Sequence, residues 1–198
     1  MPFLSPRSPS PKRVSWSVTL AVLGGTACAL LAACNPSLNW REVRTKEGSL
    51  LALFPCKTEA SSRKVSLGGQ EVEMMLNSCT AVDALFVVGQ ATVPESSALV
   101  ASNHWQRAAL ANISAPVLNQ SNQTNQASQA IKESPLPVAG VAGTPVLLTA
   151  QGKRADGSAV QFSGLWFTRG SQVFHAAIYA DKINAEMSEP FFNGLKLR

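Results

Sequence analysis

His104 and His175 are the only imidazoles in this chain of 198 residues, and imidazole is the side chain that moves protons near neutral pH. A hydrolase built on either would need a nucleophile beside it and a carboxylate to orient it. Ser163-Gly164 and Gly89-Gln90 do not form the small-residue elbow that exposes a nucleophile, and neither HExxH nor CxxC occurs. Asp83, Asp156 and Asp181 fall at expected strand ends or turns. His104 lies in a helix-like run and His175 in a strand-like run, with Val173, Ala177 and Tyr179 on its face. His175 is therefore expected to be a hydrogen-bonded structural residue. A metal centre would need further ligands near Cys56, Cys79 or a histidine, so no metal and no cofactor are expected. The expectation is a protein without catalytic residues; the alternative is a hydrolase using His104 or His175 as base in a site assembled from distant residues.

The start of the chain carries a different kind of chemistry. Arg7, Lys12 and Arg13 precede an apolar run from Val18 to Ala33, with no acidic residue in the segment. The run is shorter than the roughly 20 residues a helix needs to span a bilayer, and it contains Gly24 and Gly25. It ends in Leu31-Ala32-Ala33-Cys34, which resembles the lipobox of bacterial lipoproteins. That resemblance implies a signal peptide over 1–33 and acylation of Cys34 by several chains, palmitate among them. At about 0.8 kcal/mol per buried CH₂ these chains make the anchor permanent. Asn35 stands where aspartate would imply retention in the inner membrane, so the expected address is the periplasmic face of the outer membrane. An uncleaved signal anchor in the inner membrane and an ordinary cleaved signal are the alternatives.

Processing at Cys34 would change both the charge and the cysteine count. Of 17 basic residues three lie in the signal, leaving 14 against 12 acidic ones, a net charge of +2. Arg63-Lys64 and Lys153-Arg154 read as solvated pairs beside turns, with no basic run interleaved with aromatics, so a nucleic-acid partner is not expected. Cys28 leaves with the signal and Cys34 is acylated. Cys56 and Cys79 are then the pair left in an oxidising compartment, and a disulfide is expected between them.

From residue 34 onward the chain is long enough for one domain with its own core. Leu38 to Arg44 and Leu50 to Phe54 read as short strands around the turn-like Lys46-Glu47-Gly48. Gly68-Gly69 is the strongest local signal, because a two-residue primed turn needs positive φ at both positions. Its register pairs positions that sum to 137: Val65 with Val72 and Arg63 with Met74 on one face, Lys64 with Glu73 and Ser66 with Glu71 on the other. The same register puts Cys79 opposite Thr58 and leaves Cys56 on a diagonal of roughly 7–8 Å. That is longer than a disulfide's usual ~5.5–6 Å, so the chain must leave the ladder near Pro55.

Leu85 to Val93 is apolar on both faces and reads as a central strand. A helix capped by Ser96 or Ser97 follows to about Ile113, with Ala98, Ala101, Trp105 and Ala108 inward and Trp105 as core. Asn119 to Gln129, flanked by Pro116, Pro135 and Pro137, has the composition of a mobile insertion at about 118–130. Val146 to Arg154, Ala159 to Thr168 and Gln172 to Ala180 form a meander around Asp156-Gly157. Its apolar residues face both ways, so a helix should cover one side, with the other packed or grooved. A last helix capped near Ser188 carries Phe191, Phe192 and Leu195, with Pro190 in its first turn.

Leu53-Phe54-Pro55-Cys56-Lys57, Arg63, Leu67-Gly68, Val72, Met74, Cys79, Phe86 and the terminal Phe191-Phe192-Asn193-Gly194-Leu195 together resemble a family of small proteobacterial envelope lipoproteins with a PsbP-like α/β sandwich. The resemblance covers core, turn and cysteine positions. It implies a non-enzymatic binding or accessory module whose ligand is an envelope protein or a lipid. The expected fold is α+β: a largely antiparallel sheet of about eight strands with two packed helices over residues 34–198. A periplasmic hydrolase remains the alternative function.

Overall fold

The computed structural model describes residues 37–45, 49–115 and 131–198. The signal segment with Cys34, the turn at 46–48, Pro116 and the Asn/Gln-rich stretch lie outside the described residues.

Ten strands and two helices are present among the described residues, and they form an α+β sandwich. Three strands, β1 (Arg41–Arg44), β2 (Leu50–Phe54) and β10 (Lys196–Leu197), make a small antiparallel sheet in the order β1-β2-β10. The other seven are β3 (Glu59–Leu67), β4 (Gln70–Ala81), β5 (Ala84–Thr92), β6 (Ile131–Pro135), β7 (Val146–Lys153), β8 (Ala159–Arg169) and β9 (Gln172–Ala180). They form one antiparallel sheet in the order β3-β4-β5-β9-β8-β7-β6. β5 is internal, as its two apolar faces require, and β8 and β9 are internal for the same reason.

Because side chains alternate across a strand, the large sheet feeds two separate cores. Phe86 and Val88 of β5, Leu165 and Phe167 of β8, and Phe174, Ala176 and Ile178 of β9 face the small sheet. Leu50, Ala52 and Phe54 of β2 meet them there, with Phe191 and Phe192 of the C-terminal helix α2 (Ala185–Asn193). On the opposite face Ala91, Phe162, Trp166, Val173 and Ala177 pack under the long helix α1 (Ala98–Asn112).

The β3–β4 hairpin has the expected register, Lys64 opposite Glu73 and Val65 opposite Val72, with Gly68 and Gly69 at φ +61° and +85°. Arg63-Lys64 lies in the middle of edge strand β3 and not beside a turn: the loop takes only Gly68-Gly69. Cys56 and Cys79 are joined, Cα atoms 6.0 Å apart. Pairing stops at Glu59 with Ser78, so Cys56 has left the ladder and comes closer than the ideal diagonal. The bond links the end of β2 to β4 and so ties the two sheets together.

The helix ends differ from expectation in ways that have local causes. Glu95–Ser97 is a 3₁₀ turn, and Ser97 at the N-cap of α1 makes no side-chain capping bond; its Oγ instead accepts from Gln70 Nε2 at 3.3 Å. Inside α1 the buried register is Ala98, Ala101, Ser102, Trp105, Ala109 and Leu110, and Ala108 is exposed. The helix stops in a Schellman arrangement, Ala115 N–H donating to Leu110 O and Ser114 N–H to Ala111 O, with Ser114 at φ +49° in the place glycine usually takes. α2 is capped by Asn184, whose Oδ1 accepts from Met187 N at 3.0 Å, and not near Ser188. Pro190 therefore sits inside the helix and not in its first turn; the bond it cannot donate falls to exposed Glu186. Pro135 ends strand β6, which lies on the sheet edge where a missing N–H is tolerated.

Candidate functional site

One consequence of the alanine-rich helix is a groove. α1 contacts β3, β8 and β9, and a space of about 380 Å³ opens between its flank and the sheet. The sheet side supplies Val65 and Leu67 from β3, Met74 and Leu76 from β4, Leu85 and Val87 from β5, and His175 and Tyr179 from β9. The helix side supplies His104, Trp105, Ala108 and Asn112. Volumes of roughly 300–1,000 Å³ with mostly apolar walls are typical of small-molecule sites.

Gly89 shapes the floor. It lies between Leu76 and His175 in one row across the sheet, and a Cβ there would come within 2.7 Å of the Trp105 ring. Its missing side chain lets Trp105 rest on the strands beside His175, ring centroids 5.2 Å apart. Trp166 stacks on the other side of the imidazole at 4.6 Å, tilted by only 13°. Trp105 is buried, so its expected core role holds, and the same ring forms one wall of the groove.

His175 is 4% exposed, and burial pushes its pKa down to about 3, so the ring is neutral at physiological pH. The expected structural placement holds, yet its Nε2 has no hydrogen-bond partner. Its neighbours in the row are Gly89, which has no side chain, and the stacked Trp166, whose own Nε1 is likewise buried without a partner. His104 Nδ1, across the groove on α1, is also buried without a partner. Both histidines line the same groove, with these nitrogens themselves shielded from solvent. Tyr179 keeps its phenol proton, its pKa raised to about 12 by burial, against a smaller lowering effect of the Arg63 cation. Arg63 is the one charged residue lining the groove, and among the described residues it has no carboxylate in ion-pair range.

The triad residues considered from sequence do not gather around either histidine. Ser163 shares its strand parity with Leu165 and Phe167 and so projects to the opposite face of the sheet from His175. Asp83 is in the β4–β5 turn, Asp156 accepts from Ser158 N and Oγ in the β7–β8 turn, and Asp181 pairs with Arg154 at 2.7 Å. None of the three lines the groove.

A second depression, also about 380 Å³, lies on the other face under the start of α2. Its polar groups are already engaged in part: Gln161 Oε1 accepts from Ile183 N, and Asn184 Oδ1 caps the helix. The helix-side groove is the more apolar of the two in its lining side chains.

The architecture and groove define a small α+β sandwich with a solvent-open cavity under one helix. No protein-family model and no curated protein matches the chain. A crystal structure of a protein from Bacteroides thetaiotaomicron VPI-5482 is similar at 11% identity and a TM-score of 0.44, covering 80% of this chain. The chain spans about half of that protein, 48% of its length.

Proposed function

We propose that this protein is a non-enzymatic envelope lipoprotein that holds a small, largely apolar ligand in the groove beneath α1. The observation that carries this reading is the groove itself, about 380 Å³ with a mostly apolar lining from three strands and α1. Burial of an apolar ligand against that lining supplies the affinity. A binding role fits better than general-base catalysis, because an imidazole with a pKa near 3 is a weak base at pH 7 and no carboxylate orients it. The address at the periplasmic face of the outer membrane and the likeness to PsbP-like modules rest on the sequence features at Cys34 and on the core residues.

The test has two arms. Protein purified from its host envelope is analysed by native mass spectrometry for a co-purifying small molecule, beside an Ala108→Trp variant. Ala108 is exposed and lines the groove, so tryptophan there fills the cavity without entering the core. The expected result is a bound molecule in the wild type and its loss in the variant. Equal retention by both proteins would place the ligand elsewhere. In the second arm Cys34→Ala should accumulate as unacylated precursor; normal acylation and membrane retention would remove the lipoprotein reading.

A further inference from the structure

We infer that the groove selects an anionic amphiphile, an apolar chain or ring ending in a carboxylate or a phosphate, with the acidic group held by Arg63 and Tyr179. The inference rests on the groove being a ligand site and adds the chemistry of its occupant.

Charge complementarity supports it. No other lining residue of the groove is a carboxylate, lysine or arginine, so the guanidinium of Arg63 supplies the fixed charge at one end. Its cross-strand partner on β4 is Met74, and the nearby acidic residues Glu71 and Glu73 are paired with Ser66 and Lys64 on the other face of the hairpin. The cation is consequently left without a local counter-ion among the described residues. Tyr179, the only tyrosine of the chain, lines the same groove and lies close enough for Arg63 to act on its phenol. A protonated phenol donates, and a guanidinium donates two parallel N–H groups that match a carboxylate or one edge of a phosphate. From there Leu76, Leu85 and Val87 line the floor toward Trp105, a path for an apolar chain. A cationic or zwitterionic headgroup would meet an unpaired positive charge.

Isothermal titration calorimetry of the purified protein tests this with four twelve-carbon probes below their micelle-forming concentrations: dodecanoate, dodecyl phosphate, dodecanol and dodecyltrimethylammonium. The two anions should bind at least about tenfold more tightly than dodecanol, the size expected for one charge-assisted contact, and the cation least. Preference between carboxylate and phosphate identifies the source of the acidic group. Arg63→Gln, on an exposed edge strand, should abolish the difference between dodecanoate and dodecanol; Arg63→Lys should restore part of it. If dodecanol binds as tightly as dodecanoate and Ala108→Trp blocks both, the anion preference is wrong and the groove stands as a neutral apolar site. If Ala108→Trp blocks none of the probes, or if none binds, the inference and the groove reading both fall.

Discussion

The two faces of the seven-stranded sheet are built from the same strands and are packed in opposite ways. Toward the small sheet, Phe86, Phe54, Phe191 and Phe192 form an edge-to-face aromatic chain with centroids 5.1–5.6 Å apart, and each is at most 2% exposed. Toward α1, small residues such as Ala98, Ala101 and Ala109 bring the helix close, and one ring, Trp105, holds it off the strands along its flank. Around these rings the first face is closed and apolar, and its one described depression lies apart from them under the start of α2. The second leaves a mostly apolar cavity with a cation that has no ion-pair partner among the described residues. Period-two alternation lets one sheet keep its stability on one side and its chemistry on the other.

If the faces are separable, damage to the closed one should cost stability and not affinity. Phe86→Ala should destabilise by about 3–5 kcal/mol, because it removes a fully buried ring packed edge-to-face on Phe191. Chemical denaturation measures that loss, and dodecanoate affinity, measured where the variant is folded, should stay within twofold. A large fall in affinity would show that the two cores act as one.

Next in size is the disulfide, which joins the two sheets at the core of the closed face, with Cys79 buried in it. Its loop spans 23 residue steps, and opening it should cost about 3 kcal/mol, or roughly 6–12 °C in Tm for a domain of this size. Thermal scans with and without reductant check this, and an unchanged midpoint would mean that the two sheets hold each other without the link.

The groove face should instead reveal itself through pH. An unfolded His175 titrates near its ordinary 6.5 and the folded one near 3, so between those values the unfolded chain binds more protons. The stabilising effect of keeping the ring neutral is complete above pH 6.5 and is lost as pH falls toward 3, at about tenfold in the folding constant per pH unit. Denaturation of wild type and His175→Phe at matched pH values should show a slope shallower by that amount in the variant. Identical slopes would mean that the ring is protonated in the fold.

The smallest effect belongs to neither face. Val82 and Asp83 form the two-residue β4–β5 turn with φ of +46° and +59°, a conformation that disfavours a β-branched side chain. Val82→Asn should stabilise by about 1 kcal/mol, raising Tm by roughly 2–4 °C, with no change in ligand affinity.

Much of the closed face was legible because its signals are local. Gly68-Gly69 determines a turn and hence a register, Asp156-Gly157 marks the next hairpin, and Leu85 to Val93 declares an internal strand by being apolar on both sides. The disulfide was legible from cysteine arithmetic, while the register alone left Cys56 on a diagonal too long for the bond until the chain leaves the ladder. Strand β6 was hidden because Ile131-Lys132-Glu133-Ser134-Pro135 has neither apolar alternation nor β-branched enrichment; it pairs with β7 and packs only Ile131 against a core. The β4–β5 turn was hidden because Val82-Asp83 is not turn chemistry, and the end of α1 because Ser114 does the work of a glycine. The groove was the least legible feature. Arg63, His104, His175 and Tyr179 come from β3, α1 and β9, and only strand order brings β9 next to β5 and within reach of β3's hairpin. The one signal available was polarity out of place: a histidine and a tyrosine alternating with alanine and valine on a strand apolar on its other face.

The most direct test of the division of labour between the faces is a nuclear magnetic resonance titration of the isotopically labelled protein with dodecanoate. The account predicts saturable shifts at the side chains of His104, Trp105 and His175 and at Leu76 and Val87, with Phe54, Phe191 and Ile183 unmoved. Shifts centred on the α2 side of the sheet, or none at saturating dodecanoate, would contradict it.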